Sequence, residues 1–348
     1  MILVTGGTGF LGAHLLFHLI NYKDESIRAI YRNTSNFDLV KKIFSYYTDN
    51  KNLFEKIKWI KADILDFHDV SEVLKGVSHV YHAAAGVSYD FRDRDKIYNI
   101  NVNGTSNIVN ACLQNNIEKL CHVSSIATLG ETVNGETINE KTLWQSTDSN
   151  SGYSISKFNA ELEAWRGITE GLNTVIVNPS VILGYNNWDN GSSALFKNIY
   201  NGFKYYTKGY TGFVDVADVC KIMIQLMESN IVNEAFILSS ENVCYKNLFE
   251  MIAGSISIKP PVKYATTFLT GLVWKLDLLR SRIAGKQALL TKESARTSHK
   301  KLLYSNKKIM EQFNQLELCN KPCCTFTPVA ETIKLLGESF IEEKIKNA

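Results

Sequence analysis

The chain begins MILVTGGTGFLG, and within it Gly6, Gly7, Gly9 and Gly12 fall between an apolar run and a stretch with helical apolar spacing. Glycine costs backbone entropy, so this concentration marks a turn that side chains would obstruct. Gly6, Gly7 and Gly9 allow a tight turn and a close backbone approach, and Gly12 lets the following helix lie against the strand. Leu11, Leu15, Leu16 and Leu19 give that helix an apolar face. Its first amides and the positive end of its dipole form an anion site that needs no basic side chain. Gly7, Gly9 and Gly12 also fit the G-x-G-x-x-G spacing in the strand-then-helix context that signals a bound pyrophosphate. We therefore expect Gly6, Thr8, Gly9, Phe10, Leu11 and Gly12 to hold a dinucleotide; an ordinary glycine-rich turn is the bland alternative.

The rest of the chain suits such a site. The runs ILVT, IRAIYR, IKWIKA, HVYHAA, KLCHVS, TVIVN and AFILS alternate with stretches whose apolar residues recur three or four apart. That alternation predicts an α/β fold, a doubly wound parallel sheet with helices on both faces and right-handed crossovers. From about Gly184 the pattern loosens into a segment rich in Asn, Gly and Tyr. We expect residues 1–183 to form the dinucleotide-binding domain, with 213–240 returning to it, and 184–212 and 241–348 to form most of a smaller substrate lobe. Such a lobe closes over the carboxyl ends of the strands, where open α/β sheets bind ligands.

With 38 basic and 35 acidic side chains the net charge is +3, too small a field to steer nucleic acid, so a small molecule is the expected partner. The start of the chain has neither a basic n-region nor a long apolar h-region. The most apolar later stretch, within 265–282, is interrupted by Lys275, Asp277, Arg280 and Arg282, so we expect no integral membrane segment and a cytoplasmic protein. Mixed apolar and basic character leaves that stretch either a pocket cover or an amphipathic surface helix. The seven cysteines, Cys319, Cys323 and Cys324 among them, show no zinc or disulfide-framework spacing and read as reduced thiols; no metal is expected.

At the end of the second strand, where an acidic residue would accept hydrogen bonds from an NAD ribose, the chain offers Tyr31 and Arg32. A guanidinium there suits a ribose 2′-phosphate, which favours NADP over NAD; a solvated strand-end charge is the alternative. Farther on, SGYSISK sets Tyr153 and Lys157 four residues apart, on one face of a helix. An ammonium beside a phenol favours phenolate and brings a hydroxyl that titrates near about 10 towards neutral pH. That supplies the acid–base half of carbonyl chemistry, whose other half is a nicotinamide hydride. Ser124 and Ser125, at the end of the fifth strand, offer a hydroxyl to a developing oxyanion, or cap a turn. His79, His82 and His122 lie in buried strand patterns and read as core or supporting residues.

With these segments in this order, the sequence resembles the extended short-chain dehydrogenase/reductase family, the nicotinamide-dependent epimerase/dehydratase-like branch, along nearly its whole length. TGGTGFLG resembles the family's glycine loop, and Asp63, followed by Ile64 in KADILD, its adenine-contacting aspartate. HAAAGV, with Ala83, Ala84 and Ala85, resembles its alanine-rich turn, and NPSVILG, with Asn178, Pro179 and Val181, its nicotinamide-side loop. FVDVADV, with Asp215, resembles the later strand-to-helix segment. The resemblance implies a catalytic set of Ser125, Tyr153 and Lys157, with Asn101 of INVNGTSNIV supporting the proton path. Aligning SSIATLG on Gly130 favours Ser125 over Ser124. Asp63 and Asp215 can equally cap helices, and Asn178–Pro179 can simply end a strand.

Sugar-nucleotide dehydratases carry an acidic residue soon after the catalytic serine, whereas this chain continues Ile126, Ala127, Thr128. Nucleotide-sugar epimerases commonly present arginines to the diphosphate, and residues 185–215 contain none. The pattern looks more like the dihydroflavonol/cinnamoyl-CoA reductase and 3β-hydroxysteroid dehydrogenase-like branches, and a Tyr- and Phe-rich lid would suit an apolar carbonyl substrate. The leading expectation is an NADP-preferring reductase of a ketone or aldehyde. An NAD-dependent epimerase is the alternative, a non-catalytic nucleotide-binding regulator a further one, and a homodimer is what the resemblance suggests.

Overall fold

The computed structural model describes residues 1–23, 25–32, 37–88, 90–132, 135–147, 150–271, 274, 292–315 and 325–346. All seven strand-like runs join one sheet, in the order Ile57–Lys61, Ile27–Tyr31, Ile2–Thr5, His79–His82, Lys119–Val123, Thr174–Pro179, Glu234–Leu238. Every pairing in it is parallel. Apart from the edge strand Ile57–Lys61, whose Lys58 and Lys61 are exposed, these strands are largely buried because both faces of the sheet are covered. On one side the helices Phe10–Tyr22, Phe37–Tyr47 and Val216–Glu228 bury Leu15, Leu19, Ile43 and Met223. On the other, Phe67–Leu74 and Gly104–Gln114 bury Val70, Ile108 and Val109, with Gly152–Thr169 packed alongside. Each fully buried side chain of this size contributes about 1.5–3 kcal/mol relative to exposure.

The sheet positions the site through its strand order. The chain lays three strands outward from Ile2–Thr5, then returns to add His79–His82 on the other side of that strand. The connections beyond those two strands diverge and leave a crevice at their carboxyl ends, where Gly6 meets Ala83 and Ala84.

A second, three-stranded sheet has Tyr210–Asp215 at its centre, with Val181–Leu183 parallel and Glu241–Cys244 antiparallel to it. Helices Tyr245–Ser255 and Val329–Lys346 cover it around Phe196, Phe213, Leu248 and Phe340. Phe196, from the Tyr- and Phe-rich segment offered as a lid, is therefore buried in the lobe's own core, beside Trp188. Within 213–240, strand Glu234–Leu238 joins the large sheet and helix Val216–Glu228 packs on it, whereas Phe213 belongs to the small sheet. Helix Lys307–Gln315 comes from the segment read mostly as lobe, yet Ile309 and Phe313 pack beside Phe236 in the core of the large sheet.

Among the described residues, no helix is long and apolar enough to cross a membrane, and no cluster of His, Cys, Asp and Glu could hold a metal ion. Cys112, Cys121, Cys220 and Cys244 are free and buried. Cys319, Cys323 and Cys324, and most of the stretch 265–282, lie outside the described residues.

Candidate active site at the carboxyl ends of the strands

Sterics dictate the glycine turn. Gly6 has φ +71°, and a Cβ on it would sit 2.6 Å from the Ala84 nitrogen. A Cβ on Gly12 would lie 2.1 Å from the Gly6 carbonyl oxygen. Gly9 donates its N–H to that same oxygen at 2.9 Å and caps the Phe10–Tyr22 helix with no side-chain hydrogen bond, and no acid occupies the first turn. The helix terminus is thus bare backbone, which fits an anionic pyrophosphate. Thr8 and Leu11 are nearly buried, and Phe10 packs edge-on to His14 at 5.2 Å.

The other expected cofactor residues ring this crevice unevenly. Arg32 stands exposed directly after Ile27–Tyr31. Asp63 follows Ile57–Lys61 and accepts the Leu65 N–H at 3.0 Å, while Ile64 is buried against Gly104. Ala83 and Ala84 are half-buried beside Gly6, Ala85 is exposed, and Val181 is half-buried in the small sheet. The Asn178 amide turns inward, towards Thr128 and Glu161. Asp215 caps Val216–Glu228 through the Ala217 N–H and accepts from Thr332, and burial raises its carboxyl above the usual range.

Beneath the crevice runs a hydrogen-bond chain of fixed direction. Thr105 donates to the Asn101 carbonyl at 2.6 Å, so His82 donates to Thr105 through Nε2–H at 3.0 Å. His82 Nδ1 then accepts from Thr5 at 2.7 Å, and Thr5 accepts the Ala84 N–H at 3.2 Å. Burial lowers His82 to about 3 and keeps it neutral. The Asn101 side chain accepts the Gly86 N–H at 2.7 Å and donates to the Gly86 carbonyl and to Ser156. Asn101 lies in a short π-helical turn, Asn99–Asn103, that redirects the chain under the site.

Tyr153 and Lys157 occupy the first two turns of Gly152–Thr169, which Ser151 caps by accepting the Ser154 N–H. Lys157 is buried and donates Nζ–H to the Val123 carbonyl at 2.7 Å. Burial lowers its ammonium to about 8, against the opposing pull of Glu161. The two candidate serines diverge. Ser125 is half-buried, accepts the Ala127 N–H at 3.1 Å and keeps its O–H for another acceptor. Ser124 is buried and donates to Glu161 at 2.5 Å.

Glu161, Thr128, Ser156 and Gly86 support the site without having been singled out from the sequence. Glu161 is four residues beyond Lys157 and so on the same helix face, the one signal that spacing offered, though it does not say that the carboxylate is buried. His82 and His122 are buried as expected, and His79 half-buried.

The fold and this crevice are those of the extended short-chain dehydrogenase/reductase class, with a dinucleotide-binding glycine turn at the strand ends. Residues 2–238 match the family model described as the NAD dependent epimerase/dehydratase family, and the chain belongs to that family. It is 33% identical to a putative dihydroflavonol 4-reductase of Synechocystis over 53% of this chain and 50% of that one. It is 27% identical to cinnamoyl-CoA reductase 1 of Petunia hybrida over 66% of this chain and 69% of that one. The match thus spans half the length of the first relative and about two thirds of the second. A solved UDP-glucose 4-epimerase of Thermus thermophilus in complex with NAD shares the fold, with a TM-score of 0.71 at 19% identity over 98% of each chain.

Proposed function

We propose that the protein is an NADP-preferring reductase of a ketone or aldehyde, or the dehydrogenase of the corresponding alcohol. The observation that carries this reading is the buried Lys157, held to the Val123 carbonyl at a strand end one helical turn after Tyr153, with Ser125 just beyond that strand keeping its O–H and a glycine turn whose helix has no side-chain cap. Gly6–Gly12 would hold the pyrophosphate, Asp63 the adenosine side, and Lys157 the nicotinamide ribose. Arg32, exposed at the strand end where a 2′-phosphate would lie, supports NADP. Bound there, the cofactor supplies or accepts a hydride.

The chain's own residues then manage the proton and the charge. Tyr153 gives its phenolic proton to the carbonyl oxygen during reduction and takes it back during oxidation. The Lys157 ammonium, fixed by the Val123 carbonyl, stabilises the negative charge left on the Tyr153 oxygen. Ser125 donates to the substrate oxygen as charge builds on it. Asn101 holds Gly86 and Ser156, which keeps the helix start in register with the crevice.

The reductase names of the two curated relatives support an aromatic or otherwise apolar carbonyl substrate. The epimerase likeness gives the competing reading, in which a nucleotide sugar is oxidised and reduced in place. Purified protein assayed for NADPH and NADH consumption with aldehydes, ketones, steroids, flavonoids and acyl-CoA thioesters separates the two. The reductase reading expects turnover on at least one carbonyl, faster with NADPH. No consumption with any of them, together with NAD(H) released on denaturation, would overturn it in favour of the epimerase.

A further inference from the structure

We propose that Glu161 is a positioning residue for this chemistry, clamping the Ser125 turn and the end of the Thr174–Pro179 strand onto the helix that carries Tyr153 and Lys157. The inference rests on the reductase reading and adds a residue that does not touch the reacting atoms.

One oxygen of Glu161, Oε2, accepts from Ser124 Oγ at 2.5 Å, Thr128 Oγ1 at 2.8 Å and Asn178 Nδ2 at 2.8 Å, and Oε1 takes Trp165 Nε1 at 3.3 Å. The three Oε2 donors belong to the chain just after Lys119–Val123 and to the neighbouring strand, so one carboxylate ties two strand ends to the helix. The single Thr128 hydroxyl hydrogen is shared between Glu161 and the Ser125 carbonyl, each 2.8 Å from Oγ1, and Asn178 Nδ2 reaches the same carbonyl at 3.2 Å. The peptide of the proposed oxyanion donor is therefore held from behind by groups that Glu161 holds. A charged acceptor suits this place because its partners are all donors, and hydrogen bonds to a carboxylate are shorter and stronger than neutral ones.

Glu161 also lies one turn beyond Lys157. The groups that interact electrostatically with Lys157 are Glu161 on its own helix and His82 and His122 on the strands beneath, and Tyr153 stands one turn before it in the same helix. Burial keeps both histidines neutral, which leaves Glu161 as the anion that opposes the loss of the Lys157 proton.

The test is Glu161→Gln beside Glu161→Asp and Ser124→Ala. Glutamine keeps the shape but loses the charge, and one of its two ends must present an NH2 to a donor, either Trp165 Nε1–H on one side or Asn178 and Thr128 on the other. Expected for Glu161→Gln are NADPH affinity near that of the parent, kcat lowered by about tenfold to a hundredfold as Ser125 loses its place, and an upper limb of the pH–rate profile moved to lower pH. Glu161→Asp and Ser124→Ala keep the charge, so their limb stays where it is. Parent-like kcat and limb in Glu161→Gln, with Tyr153→Phe inactive in the same assay, would sink the inference and leave the reductase reading standing. Should the parent reduce no carbonyl, the reductase reading fails by itself. The Lys157 amine, followed by nitrogen NMR without substrate, still decides the electrostatic part: it must lose its proton at lower pH in Glu161→Gln, and an unmoved titration contradicts the proposal.

Discussion

At the scale of single residues, the two adjacent serines carry the clearest contrast. Ser124 spends its hydrogen on Glu161 inside the protein, whereas Ser125 uses its oxygen as an acceptor and retains its hydrogen. Removing a preorganised oxyanion donor costs on the order of 10²–10³ in kcat. Ser125→Ala is therefore expected to lose about two orders of magnitude in kcat with little change in KM, and Ser124→Ala far less; steady-state kinetics on any accepted carbonyl would check this, and equal losses would contradict it. Tyr153, Lys157 and Ser125 were legible in the sequence because their spacing is local and ordered. Glu161 was not, because a glutamate on a helix of mixed polarity reads as solvent-facing, and its donors come from Ser124, Thr128 and Asn178, which are distant in sequence. The inward turn of Asn178 was equally invisible, since nothing in Asn-Pro-Ser says which way the amide points.

At the scale of elements, the glycine turn shows how little room the site leaves. Alanine at position 12 places a methyl group against the Gly6 carbonyl, and backbone on both sides must move. Overpacking of this kind costs roughly 1–3 kcal/mol. Gly12→Ala should lower the urea midpoint and weaken NADPH binding together, and an unchanged value of either would contradict a turn closed by contact. The seven strands of the large sheet could be read from the sequence because their apolar runs alternate with stretches of helical spacing. Strands Val181–Leu183 and Glu241–Cys244 could not, since three or four residues are too few to show a period. Their pairing on Tyr210–Asp215 is a long-range event that no local pattern announces.

At the scale of the molecule, buried neutral histidines join the parts. His14 donates through Nε2–H to the Tyr185 carbonyl at 2.8 Å and accepts from the Tyr47 hydroxyl at 2.7 Å, tying the first helix to the lobe. Burial lowers His14 to about 3, His18 to about 4 and His82 to about 3, from 6.5. The unfolded chain therefore binds protons that the folded chain refuses, so stability is full above pH 6.5 and declines as the pH falls towards 4 and then 3. At about pH 5 each such histidine costs about 1–2 kcal/mol. Urea unfolding at pH 7 and pH 5 should differ by several kcal/mol, and equal stabilities would show that the histidines titrate normally.

In the proposed mechanism Tyr153, one helical turn before the buried Lys157, moves the proton while a nicotinamide moves the hydride. Single-turnover oxidation of bound NADPH by an accepted carbonyl, compared between the protein and Tyr153→Phe, tests it most directly. The account predicts that the variant still binds NADPH, seen by its fluorescence, and that the oxidation slows by at least about 10², the usual reach of a positioned acid. Undiminished oxidation in the variant would remove Tyr153 from the mechanism and the proposed site with it.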